Sequence, residues 1–330
     1  MTDIYIASRE KPGSIHHFKL SEDGILHPQK IYPIDQPAFL CIEGDSLYAL
    51  LREPFLMQSG IAKYHIAYDG TLTLEGEIQP VHGAVSADLT VYNDNIYVAN
   101  YLSGSTVCLP DKAVLYQGHG PNQNRQDCSH PHCVCLSPDK KQLLVADLGT
   151  DCIYVHDLML QSTEIISMPE GCGPRQLIFS KNGQMLYCIT ELASTVEVLK
   201  KTGTSYVHIQ SVSTVPPGYI GENSGSAIQI STCGRYLYAS NRGHDSIAIF
   251  LIEENEIHLK RVVPCWGSSP RHFQVCGNYL ICGNELSNNV QVFSIQEDML
   301  LHIDHSISIQ MPWCILCRGS TCSNQNKKGE

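Results

Sequence analysis

Three arginines, two histidines and two glutamates stand out in this sequence for where they lie. Arg175 opens the apolar run of GPRQLIF, Arg271 that of SPRHFQV, and His130 and His132 that of SHPHCVCLS. Arg242 closes YASNR, Glu191 closes CITE, Glu285 closes CGNE, and Asn100 with Tyr101 closes VANY, each just after an apolar run. Guanidinium groups brought together repel one another unless an anion or carboxylates sit among them. Such a cluster would suit a small anionic ligand, and an imidazole beside it could move a proton near neutral pH. A purely structural ion-pair network with Glu191 and Glu285 is the plainer alternative. For Asn100, Asp147 and Asn241 the plainer role is hydrogen bonding to turn backbone.

These residues lie far apart in the chain, so the elements that carry them must converge. A pattern recurs from Ile4, Leu47, Ile96, Leu143, Leu186, Leu237 and Leu280 at intervals of 43 to 51 residues, mean 46. Each copy reads as a short apolar strand, a polar turn and an alternating strand, as in LYASNRGHDSIAIF and LICGNELSNNVQVF. Period-two alternation with Gly, Asn, Asp and Ser at the turns marks β-strands, and no ten-residue stretch has helical periodicity. Four short strands per repeat predict a blade, and seven repeats predict an all-β, seven-bladed β-propeller that closes without long edges. The first copy begins too early to have its own inner strand. The segment PWCILC (312–317) is expected to supply it and close the ring. The propeller then spans 1–317, and the polar residues 318–330 are expected to form a disordered C-terminal tail. Within a blade the start of the inner strand and the end of the second strand share one face near the axis. That geometry sends Arg175, Arg271, His130, His132, Arg242, Glu191 and Glu285 to one channel mouth.

Composition bounds the rest. The chain has 330 residues, 43% hydrophobic and 17% charged, with a net charge of -11. Disorder is excluded, and an acidic surface argues against sequence-blind nucleic-acid binding and against anionic membranes. No apolar run approaches the ~20 residues of a membrane span, and the first residues lack a signal-peptide layout, so a cytoplasmic address is expected. Fifteen cysteines in such a chain are read as free buried thiols.

Four segments, SHPHCVCLSPDKKQLLVADLGTD, GCGPRQLIFSKNGQMLYCITELASTVEV, SAIQISTCGRYLYASNRGHDSIAIF and SPRHFQVCGNYLICGNELSNNVQVF, resemble the bacterial lactonase family of seven-bladed propellers. That family includes the propeller-type 6-phosphogluconolactonase and is related to the carboxy-muconate lactonizing enzyme. The resemblance implies a histidine, two arginines and a glutamate at the channel mouth, here His132, Arg175, Arg242 and Glu191. It implies hydrolysis of a small anionic sugar lactone, 6-phosphogluconolactone foremost, without a cofactor. The blade-two loop LREPFLMQSGIAKYHI and the stretch NQNRQDC depart from the family pattern. Both departures bear on the pocket rim more than on the fold.

Lactone hydrolysis needs a base for water, a cation for the developing oxyanion and anchors for a distal charge. Glu191 and His132 are both candidate bases. Arginines lower the pKa of a neighbouring carboxylate, which favours His132. Arg175 or Arg242 would meet the oxyanion. Arg271 with the remaining arginine would hold a phosphate or carboxylate, with Glu285, His130, Asn100 and Tyr101 as further substrate contacts. Cys128, His130, His132, Cys133 and Cys135 resemble a metal cluster, but strand alternation is read as turning Cys133 away from His132 and Cys135, and no metal is expected. Two other functions fit the same residues. One is a cyclase or isomerase acting on a dicarboxylate such as carboxy-muconate. The other is a non-catalytic propeller serving as an interaction platform.

Overall fold

The computed structural model describes residues 1–161 and 163–318, and in it seven four-stranded antiparallel sheets surround one axis. No helix long and apolar enough to cross a membrane is present among the described residues. The inner strands of blades two to seven are Pro37–Glu43, Ser86–Tyr92, Pro131–Leu136, Pro174–Phe179, Ser224–Ile230 and Pro270–Cys276. Each touches the inner strands of the neighbouring blades. Pro312–Cys317 is the inner strand of blade one. It pairs antiparallel with Thr2–Ser8, matching Ile4 with Cys317 and Ile6 with Ile315, and lies between the inner strands of blades seven and two. The ring therefore closes as the missing first strand required.

The second strand of each blade is apolar on both faces because a neighbouring blade covers each one. In blade one, Ile4 and Ile6 pack toward Ile281, Val290 and Ile315, while Tyr5 and Ala7 pack toward Leu40, Leu47 and Ala49 of blade two. The alternation in IAIF is not inside–outside, since Ile247, Ala248, Ile249 and Phe250 are all fully buried. Alternation with exposed residues runs along outer strands such as Ser205–Ser213.

Two expectations are corrected here. Cys276 and Cys317, the last residues of the inner strands of blades seven and one, form a disulfide. Ring closure makes them neighbours although 41 residues separate them. Cys108, Cys172, Cys188, Cys265 and Cys282 are buried thiols as expected, whereas the free cysteines Cys128 and Cys233 are exposed and Cys152 is half-buried. Arg318, assigned to the tail, is anchored. Its N–H donates to the Asp3 carbonyl at 2.8 Å, and its guanidinium pairs with Asp3 and Asp45. The remainder of the proposed tail lies outside the described residues.

One irregularity recurs at the channel mouth. The register between inner and second strands shifts at Pro37/Phe39, Ser86/Asp88, Pro131/Cys133, Pro174/Gln176, Gly225/Ile228 and Pro270/His272, and in blade one between Pro312 and Cys314. A bulge leaves a residue out of the ladder and re-aims its side chain. The residues left out are Ala38, Ala87, His132, Arg175, the Ser226–Ala227 pair, Arg271 and Trp313. Five of these bulges follow a proline, which cannot donate to the ladder and marks the strand start.

Candidate active site

Glu191 is the hub of the channel mouth. It follows the second strand of blade five, Met185–Thr190, and its backbone N–H donates to the Gly173 carbonyl at 2.7 Å. Its Oε1 accepts from Arg125 Nη2 at 2.5 Å and its Oε2 from Arg175 Nε at 2.9 Å, and Oε2 is ion-paired with Arg242 Nη2 at 3.0 Å. Arg175 is presented by the blade-five bulge, Arg242 by the end of the second strand of blade six, and Arg125 by the loop before blade four. Glu191 and Arg175 are 5% and 6% exposed, so both charges interact through a poorly screened medium. Burial alone would raise the Glu191 pKa, but Arg242, Arg175 and Arg125 outweigh it and hold the carboxyl well below the usual range. Burial and the repulsion of Arg242 push Arg175 down to about 10, still protonated at neutral pH.

His132 stands on the blade-four bulge with the edge of its ring toward Tyr101, centroids 5.7 Å apart. Burial, followed by the field of Arg175, lowers its pKa well below that of a free histidine, and Glu191 opposes the shift. The imidazole is therefore neutral at pH 7 and able to accept a proton.

Arg271, on the blade-seven bulge, places its guanidinium carbon 3.3 Å from the ring centroid of Trp313 and its Nη1 3.5 Å from Glu285 Oε2. Arg9 lies over the same indole at 4.0 Å. A cavity of about 330 Å³ opens among these groups, lined by Arg9, Arg52, Arg125, Arg242 and Arg271 together with His132, Glu191, Tyr101, Trp313 and Ala87. Its volume is at the lower end of the range for small-molecule sites. Beneath it, a narrower void is lined by Arg175, Arg271, His132, Asp88 and His272.

The sequence-derived candidates thus divide. His132, Glu191, Arg175, Arg242 and Arg271 converge, with Glu285 paired to Arg271 and Tyr101 on the cavity wall. His130 does not face the cavity. It is buried, its Nδ1 donates to the Tyr101 carbonyl at 3.0 Å, and its ring stacks on Tyr101 at 4.4 Å, so it positions that side chain. Asn100 is fully buried. It accepts from Ser86 Oγ and donates to Ser105 Oγ, and a Cβ on Gly83 would come within 2.2 Å of its amide. It braces a turn. Asp147 and Asn241 do the same for their own turns.

The metal reading is corrected in detail. Cys133 and Cys135 share a face, as residues two apart on a strand must, and both pack in the core between blades four and five. Asp127, Cys128 and His130 do bring possible ligand atoms within 4.8 Å of one another, with His132 outside the group.

Four lining residues, Arg9, Arg52, Arg125 and Trp313, were not among the sequence candidates. Arg9 and Arg52 occupy the second-strand ends of blades one and two (IYIASRE and LYALLRE), the position that identified Arg242 in blade six. Trp313 follows a strand-opening proline, as Arg175 and Arg271 do. Arg125 lies on an irregular loop, where no repeat position could reveal it. Arg52 and Arg125 fall in the two segments that depart from the family pattern.

Comparison with known proteins agrees with this geometry. Residues 3–317 match the family model described as "Lactonase, 7-bladed beta-propeller". The chain is 30% identical over 291 residues to 6-phosphogluconolactonase of Yersinia pestis (strain Pestoides F), covering 82% of this chain and 83% of that protein. It is 29% identical over 293 residues to 6-phosphogluconolactonase of Bacillus subtilis (strain 168), with coverage of 82% and 83%. A crystal structure of a protein from Lactobacillus plantarum superposes with a TM-score of 0.88 at 26% identity, covering 96% of this chain and 99% of that one. With a family match across nearly its whole length and a cationic cavity at the bulged ends of its inner strands, the chain belongs to the lactonase family of seven-bladed β-propellers.

Proposed function

We propose that this lactonase hydrolyses 6-phosphogluconolactone to 6-phosphogluconate, in the cytoplasm and in the pentose phosphate route. One observation carries the reading: a carboxylate held by three arginines lies beside a neutral histidine on the wall of one small cavity. The relatives named 6-phosphogluconolactonase support the choice of substrate.

In this reading His132 takes a proton from water as the water oxygen bonds to the lactone carbonyl carbon. The negative charge that develops on the carbonyl oxygen is met by Arg242, which lines the cavity. The tetrahedral intermediate then breaks its ring C–O bond, and the imidazolium returns the proton to the departing ring oxygen. The product is the open hydroxy acid. Glu191 remains ionised throughout. It fixes the three arginines and favours the transient imidazolium, while both of its oxygens are occupied by arginines. The substrate is a small anion, which suits the cavity and an otherwise acidic protein.

The test is hydrolysis of freshly prepared 6-phosphogluconolactone by the purified protein, with His132→Ala and Arg175→Ala as controls. A rate above the spontaneous background that both variants lose is expected. No rate above background would overturn the reading.

A further inference from the structure

The cations of the cavity are neutralised unevenly. On one wall Glu191 serves Arg125, Arg175 and Arg242, and Arg271 has Glu285. On the other, Arg9 and Arg52 line the cavity, and among the described residues neither has a carboxylate at ion-pair distance. Glu285 and Glu53 act on both only through space, and the charge of Arg52 bears unfavourably on Arg9. Arg9 Nε is buried and has no protein acceptor. Two adjacent guanidiniums held this way cost stability unless an anion sits between them.

The shape of the ring agrees. The bulge residues of blades two and three are Ala38 and Ala87, and that of blade one is Trp313. Ala87, with only a methyl group, lines the cavity beside Arg9 and Arg52. Arg9 is held in place by its stacking on Trp313 at 4.0 Å, the ring that also carries Arg271. The subsite is thus preorganised and small, with donors in the fork geometry that suits a tetrahedral oxyanion.

We infer that Arg9 and Arg52 form a phosphomonoester subsite, seating the distal phosphate of the ligand beside Ala87 while its carboxyl end faces Arg242, Glu191 and His132. The assignment rests on the proposed lactonase reading and adds its specificity determinant. A phosphate monoester carries about two negative charges near pH 7, which matches two uncompensated arginines better than a single carboxylate does. It also moves the anchor from Arg271, which is already paired with Glu285, to blades one and two.

The experiment is calorimetric titration of the full-length protein with 6-phosphogluconate and with gluconate, repeated for Arg52→Gln, Arg9→Gln and Arg52→Lys. Arg261→Gln, an exposed arginine paired with Asp298 away from the cavity, is the control. The wild type and the control are expected to bind 6-phosphogluconate at least about tenfold more tightly than gluconate. Arg52→Gln should abolish that preference, and Arg52→Lys should restore part of it. Arg9→Gln could disturb the stack on Trp313, so its melting temperature is measured and Arg52→Gln carries the decision. A wild type that binds both acids equally, or an Arg52→Gln protein that keeps the full preference, overturns the subsite. Absence of lactone hydrolysis with the phosphate preference intact would overturn the reaction and leave the subsite standing.

Discussion

Arg175 Nε donates to Glu191 Oε2 at 2.9 Å across the bulge that opens the inner strand of blade five. The bond joins two residues of one blade, and the same oxygen reaches Arg242 in the next, so one buried carboxylate ties two blades together. Replacing Glu191 by Gln leaves Arg125, Arg175 and Arg242 without their counter-charge. Breaking a buried pair on one side costs about 3 kcal/mol or more, and the urea midpoint of Glu191→Gln should fall accordingly. Because the folded pKa of Glu191 lies below its unfolded value, the stabilisation is complete above about pH 4.3 and is lost as pH falls through the folded value. The gap between wild type and variant should therefore narrow in acid. A gap that stays constant down to pH 3 would show that charge is not its cause.

His132 should set the acid limb of the pH–rate profile. Its pKa is lowered by burial and by Arg175, so the imidazole stays unprotonated below the ordinary histidine value of about 6.5. Background-corrected kcat/KM is expected to stay level from pH 8 to below pH 6.5 and to fall only in more acidic buffer. His132→Ala should lose about 10²–10⁴ in kcat. A limb centred above pH 7 would assign the base to another group.

Much of this site was legible in the sequence because a propeller maps repeat position onto space. Once the repeat of about 46 residues is seen, strand starts and ends must face one mouth, and Arg175, Arg242, Arg271, Glu191 and His132 can be placed without coordinates. The same mapping applied to blades one and two yields Arg9 and Arg52. They are inconspicuous because blade one borrows its inner strand from the far end of the chain, so its repeat looks incomplete. Asn100 shows the converse. It sits at a site-facing repeat position, yet its short side chain is consumed by Ser86 and Ser105, and repeat position alone does not say which way a side chain turns. The Cys276–Cys317 bond was illegible because it depends on ring closure bringing two strand ends together.

Arg242 should act mainly on the chemical step. It shares Glu191 with Arg175 and lines the cavity. If it meets charge that appears only in the transition state, Arg242→Ala should lower kcat by about 10²–10³ with little change in KM. A variant with unchanged kcat and raised KM would make Arg242 an anchor and move the oxyanion contact to Arg175.

Asp88 gives a prediction that separates the lower channel from the site. It follows the blade-three bulge, is 6% exposed and accepts the Val134 N–H at 3.1 Å. Burial raises its pKa to about 7, against the opposing pull of the Cys133 thiol, the Val134 and Leu89 N–H groups and Arg175. In the unfolded chain it titrates near 3.9. A folded pKa above the unfolded one means that its contribution is fully present below about pH 4 and is lost as pH rises through 7. Asn cannot ionise and keeps an oxygen to accept from Val134. Asp88→Asn should therefore match the wild type near pH 4 and become more stable by a few kcal/mol, roughly, at pH 8. Buried His272, pushed down to about 3, is neutral across that range and adds no slope above pH 6.5, so the difference belongs to Asp88. Melting curves of both proteins between pH 4 and 8 decide it. Parallel curves would mean that Asp88 is already ionised in the folded ring.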